Sequence, residues 1–299
     1  MIHGQRYRPA PYLPTSRWQR LKQLLKLEFA AQFRTKWGIA IFLACLIPSL
    51  VRLVILLIWT GALALGGGGA MRNAGKNAPQ QMQELLPDRV EFYLDGVTSP
   101  GWGLVMLLVL TSLVTARAIA KDRATNALEL YWTRGISPLG YFLGKGLGCF
   151  LLTSLMTVAA PFALWVMGVF LADDWSFLLK TWTFMPGVVL GLLVFTAVLT
   201  SICLLLSALA TTPNLAAILW CLMLGGTAAV GRVAGEVLGQ PVLSVTLSVF
   251  DAAGVLAHAI AGVTQRETNV TGSCALLGGI VLLLAFALRR RLRLQEAIG

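Results

Sequence analysis

The chain has 299 residues, of which 57% are hydrophobic and only 12% charged, and its mean hydropathy is +0.76. A soluble domain carries about 25% charged residues, so a water-facing surface of ordinary polarity is excluded and an all-α integral membrane protein is indicated. The net charge of +11 does not point to nucleic acid, because the basic residues flank the apolar runs, where inside-facing charge belongs.

In chain order, residues 1–37 form a basic arm. Trp18, Leu21, Leu25, Phe29 and Phe33 recur at helical spacing opposite Arg20, Lys22, Lys26 and Arg34. This predicts an amphipathic helix in the headgroup plane, held by membrane lipids. A bilayer core of about 30 Å takes about 20 apolar residues per helix. Six segments qualify: 38–60, 101–120, 146–171, 185–210, 214–231 and 272–288. The first is followed by Ala62-Leu63-Ala64, which mimics a cleavage site. Its apolar run and basic arm are too long for a signal peptide, so a retained span is expected. Residues 38–299 are thus read as one six-span domain.

Between spans one and two, a short amphipathic helix is expected over Gln80–Leu94. Spans four and five are joined only by Thr211-Thr212-Pro213-Asn214, which predicts a tight hairpin with proline as helix stop. The segment 232–271 is too apolar for a solvated loop, and Pro241, Asp251 and Gly254 break it too often for a seventh span. A re-entrant or interfacial helical pair is expected there. Seventeen of the 24 Lys and Arg residues fall in the arm, in the stretch from Arg117 to Lys145 and in the C-terminal tail; six lie in the opposite loops. That asymmetry predicts cytoplasmic N- and C-termini.

The spans hold no Asp, Glu, Lys or His, and Arg52 is their one arginine away from a span end. Ion-coupled pumping needs buried ionisable groups, and a metallo-enzyme needs clustered His, Cys, Asp or Glu. Neither is expected, nor is a bound metal or any catalytic residue. The five cysteines, Cys45, Cys149, Cys203, Cys221 and Cys274, have neither metal-ligand nor disulfide spacing; they read as packing residues. The string Gly140-Tyr141-Phe142-Leu143-Gly144-Lys145-Gly146 lacks the spacing and the Ser or Thr of a phosphate loop. Glycines at 140, 144 and 148 suit close helix packing instead. Arg52 reads as snorkelling to the outer headgroups or as facing inward to an anionic substrate or hydroxyls. Thr111, Thr115, Thr153, Thr157, Thr196 and Thr200 pair at one-turn spacing, either lining a substrate path with Arg52 or bonding helices together.

The loop at 121–145 is the informative stretch. Asp122 and Arg123 leave the second span. Asn126 can cap a new helix, with Glu129 answering as in a capping box. Leu128, Tyr131 and Trp132 give that helix an apolar face, and Arg134 follows. Gly135 ends it, and Ser137-Pro138 is a cap with proline at the first helical position. A capped helix with an exposed Tyr-Trp face is a docking element rather than a linker.

These residues resemble the hallmark region of ABC-2 type transporter permeases. The matching positions are Asp122-Arg123, Asn126-Ala127-Leu128-Glu129-Leu130, Ser137-Pro138 and Tyr141-Phe142-Leu143-Gly144-Lys145, with Asn-Ala in place of Gly-Thr and Gly135 where proline is common. The resemblance implies a non-catalytic exporter subunit in a bacterial inner membrane, paired as a homodimer or heterodimer. A separate ATPase subunit, which binds ATP and Mg2+, would dock on the loop. Asp122, Arg123, Glu129 and Arg134 would be coupling contacts. The rival expectations are a scaffold that recruits a cytoplasmic complex without transport, and an intramembrane enzyme.

Overall fold

The computed structural model describes residues 36–60, 85–99, 101–127, 138–172, 175–263 and 269–296, with scattered helical positions between 19 and 33. Helix is the only regular structure among them. Six helices are long and apolar enough to cross a membrane: Gly38–Trp59, Trp102–Ala124, Gly140–Leu171, Met185–Leu209, Pro213–Leu238 and Val270–Arg290.

The first span is Lys36–Cys45 (α1) and Ile47–Trp59 (α2), interrupted at Leu46 because Pro48 enters the first turn of α2. Of the helix expected over Gln80–Leu94, residues 80–84 lie outside the described residues; 85–89 are not helical, and the helix runs Val90–Thr98 (α3). Pro87 cannot donate within a helix, and its carbonyl accepts from the Tyr93 hydroxyl at 2.9 Å. The second span is Trp102–Val114 (α4) and Ala118–Ala124 (α5). The third is Pro138–Thr157 (α6) and Ala159–Leu171 (α7), broken at Val158 just ahead of Pro161. Pro138 does open its helix, as its Ser-Pro signature predicts.

A short helix, Ser176–Thr181 (α8), leads to the central fourth span, Met185–Leu209 (α9). Most of its side chains are buried, including Val188, Leu192, Phe195, Leu199 and Ile202. Thr212 then caps Pro213–Cys221 (α10) by accepting from the Leu215 amide at 3.3 Å, which makes the expected hairpin. A π-helical turn, Leu222–Gly226, passes into Thr227–Leu238 (α11), closed by left-handed Gly239 (φ 62°). The fifth span therefore runs seven residues beyond its expected end at 231.

The segment after it is a helical pair, Pro241–Leu247 (α12) and Val249–Ile260 (α13), bent by 99° at Ser248. Its contacts give its depth. Ser244 of α12 lies against Gly231 and Gly235 of α11, and the Val249 amide donates to Thr227 at 3.2 Å. Phe250 then meets Phe195 edge-on at 5.6 Å, and Ala257 and Ala261 press on Gly191 and Gly187 of α9. Thr227 and Phe195 each lie about 15 Å along the helix from the far ends of their spans at 1.5 Å per residue. The pair therefore runs along α11, bends by 99° at Ser248 and returns along α9. The last span is the start of Val270–Glu296 (α14).

Candidate functional site: the base of the 121–145 loop

The second span does not stop at residue 120. Its helix breaks over 115–117, where the Thr115 and Ala116 amides both bond the Thr111 carbonyl at 2.8 Å, and resumes as α5. A helix start leaves amides without partners. Two of them, on Ile119 and Ala120, donate to the hydroxyl of Ser207, each at 3.1 Å. Ser207 is fully buried on α9, so a side chain from the fourth span caps a helix of the second. One turn later Arg123 donates to the Ala210 carbonyl at 3.1 Å, satisfying the C-terminal end of α9 as well.

The opposite face of α5 is tied to the third span. Asp122 accepts from Lys145 at 2.9 Å and from the Tyr141 hydroxyl at 2.7 Å. The two charged side chains are only 7% and 14% exposed, so the pair sits in a low dielectric, where removal of one partner costs about 3–5 kcal/mol. Tyr141 and Lys145 are four residues apart and share one helical face. Because α6 starts at Pro138 rather than at 146, it carries both of them back over α5. Gly144 and Gly148 are buried on this side of α6 too.

Asn126 adopts the left-handed conformation (φ 54°) directly after α5, and Ala127 is helical again. Asn126 thus serves as the left-handed turn that follows α5 rather than as an extended cap. Leu128, Glu129, Tyr131, Trp132 and Arg134 lie outside the described residues. Of the expected coupling residues, then, the structure brings Asp122 and Arg123 to the base of the loop. It adds Tyr141, Lys145 and Ser207.

Residues 69–233, just over half of the chain, match the family model for ABC-2 family transporter protein. The chain belongs to the ABC-2 transporter family. It is a multi-pass membrane permease, and the matched stretch takes in the whole loop and both anchoring spans. No curated protein and no solved structure matches it.

Elsewhere in the permease the remaining expected residues separate. The Thr111 hydroxyl accepts from the Trp220 indole at 2.6 Å, joining spans two and five. Thr157 and Thr196 bond each other at 2.6 Å across spans three and four. Thr153 donates to the Cys149 carbonyl at 2.8 Å within its own helix. The Thr115 and Thr200 hydroxyls are buried with no hydrogen-bond partner among the described residues. Thr200 also lines a groove of about 230 Å³ between α6 and α9, with Phe142, Phe150 and Ser201.

Arg52 packs within the protein. It turns onto α3, with its guanidinium 5.3 Å from the Phe92 ring centroid and 3.5 Å from the Glu91 carbonyl. A Cβ on Gly96 would stand 2.8 Å from its Nε, so glycine there makes the space it occupies. Two further groups of this end, Asp95 of α3 and His258 of α13, meet at 3.0 Å. They are 163 residues apart, and one histidine in an apolar segment gives no sign of its partner. Among the described residues, no three His, Cys, Asp or Glu side chains gather as for a metal.

Proposed function

We propose that the chain is the transmembrane subunit of an ATP-driven exporter, powered by a separate ATPase docked on the 121–145 loop on the cytoplasmic side. The observation that carries this reading is the double anchorage of α5. It is joined to α9 through Ser207 and Arg123 and to α6 through Asp122, Tyr141 and Lys145. A displacement of the loop is thereby a displacement of the buried fourth span. Motion of this kind needs rigid contact, since coupling is differential free energy carried between two states. A recruiting scaffold would have no need to tie its docking loop to its most buried helix.

Two copies of the chain, or this chain and a related one, would face each other in a bacterial inner membrane with substrate passing between them. ATP and Mg2+ belong to the partner.

The sidedness is tested with single cysteines in a cysteine-free background, placed at Thr125 by the loop and at Asn269 at the far end. In intact cells a membrane-impermeant maleimide should label position 269 and spare position 125. Labelling of position 125 would put the loop outside and end the reading. Affinity capture of the tagged permease should then bring down a nucleotide-hydrolysing subunit.

A further inference from the structure

We propose that Asp95 and His258 form the latch of a gate at the end of the permease opposite the loop, holding α13 against α3 when closed and releasing it during transport. This inference rests on the permease reading for its role, though the latch itself does not.

The geometry argues for a closed latch of opposite charges. His258 Nδ1 lies 2.9 Å from the Gly254 carbonyl, and Nε2 lies 3.0 Å from Asp95 Oδ1. A carbonyl and a carboxylate both accept, so both contacts are satisfied together when the ring is an imidazolium and donates from each nitrogen. Its side chain is 12% exposed and that of Asp95 30%, leaving the pair within reach of water at the rim. Below the rim, α13 meets α3 and the start of α9 through small residues. Gly254 faces Thr98 of α3, and Ala257 and Ala261 face glycines of α9. A helix whose deep end is held by Phe250 and Val249 and whose outer half packs through small residues can be released at that outer end, where the polar tie sits.

Asp95 also has a second cation to turn to. Arg52 lies alongside on α2, held over Phe92, and is close enough for the Asp95 charge to act on it. A carboxylate between His258 on one element and Arg52 on another can exchange partners without being left bare in an apolar site. That gives the end two discrete arrangements, as a gate requires.

Among the described residues, the charged groups around His258 are Asp95 and Glu91 of α3, with Arg52 of α2 behind them. Helices α9 and α12 bring no charged group, and Arg232 of α11 faces Asp251 at the other end of α13. The arginines of α14 begin at 289, at its far end. Burial, the largest single influence, lowers the His258 pKa. The bonds to Asp95 and Gly254 and the charges of Asp95 and Glu91 outweigh it, so the net shift is upward from 6.5. A raised folded-state value means that the latch is fully present below 6.5 and is lost as pH rises through the shifted value.

The test is hydrogen–deuterium exchange of the permease in lipid nanodiscs, without ATPase, from about pH 6 to about pH 9, corrected for intrinsic exchange. Protection of peptides covering 249–263 should fall about tenfold more than that of peptides covering 185–209 as pH rises. H258Q and D95N should abolish that difference, and the exchanged pair D95H/H258D should restore it. Equal protection of 249–263 at both ends of the series in the wild-type protein would overturn the latch with no variant needed. So would an unchanged pH response in H258Q. Failure to capture an ATPase would count against the exporter reading and leave this exchange result untouched.

Discussion

Ser207 is one serine in a 25-residue apolar helix, yet it holds two backbone amides of another span. Ser207→Ala leaves both amides buried without a partner, which costs about 1–3 kcal/mol. The thermal unfolding midpoint in detergent should fall accordingly, and Ser207→Thr, which keeps the acceptor, should recover most of it. An unchanged midpoint for the alanine variant would mean that the cap does not hold the second span. Asp122 is a different case, because its loss strands a charge rather than a dipole. Asp122→Asn should destabilise more than the neutral double variant Asp122→Asn/Lys145→Met, since the double change removes the charge from both sides of a buried pair. None of this was legible from the residues alone. A serine in an apolar run carries no sign of what it bonds. Tyr141 and Lys145 were visible as part of a family-like motif, but their partner lies across a loop. Arg52 was ambiguous for a related reason: its depth is set by sequence, but its direction is set by the space that Gly96 leaves.

At the scale of elements, hydropathy located all six spans, matched the first and fourth to within a residue and missed ends of the second, third and fifth. The helices run on where protein replaces lipid: span two through α5 under the Ser207 cap, span three back to Pro138 over Asp122, and span five to Gly239 beside α12. An apolar count stops at the first polar residue, whereas a helix stops where its backbone loses partners. The pair at 232–271 was legible as broken and too apolar, but the break falls at Ser248, and Asp251 and Gly254, which the sequence offered as breakers, lie inside α13. Its depth was not legible, being fixed by glycines on other helices. Gly191 decides that depth on the α9 side. A Cβ there would stand 2.5 Å from the Ala257 carbonyl oxygen, a backbone atom with no rotamer to yield. Gly191→Ala should push α13 off α9 and cost about 1–3 kcal/mol. Faster exchange of 249–263 at constant pH would report the shift, and exchange equal to wild type would show that α13 seats elsewhere.

Across the whole molecule the two charged sites lie at opposite ends of one buried helix. The start of α9 carries α13 through Gly187 and Gly191, and its last turn carries α5 through Ser207 and Ala210. A push on the loop would have a continuous path through packed atoms to the far end, and in the proposed exporter it would enter through residues 128–137. Glu129 is the acidic residue of that stretch and stands where the family-like motif has its glutamate. Glu129→Lys reverses one charge at the proposed docking surface while leaving every anchor of α5 in place. Charge reversal at such a contact costs about 2 kcal/mol or more, roughly a 30-fold loss of ATPase affinity. Capture of the ATPase by the purified permease should weaken by that factor and stimulated ATP turnover should fall with it, while unfolding temperature and membrane insertion stay at wild-type values. If the variant captures ATPase and supports turnover as the wild type does, the docking surface is elsewhere, and the anchored α5 is a structural corner of the bundle rather than its lever.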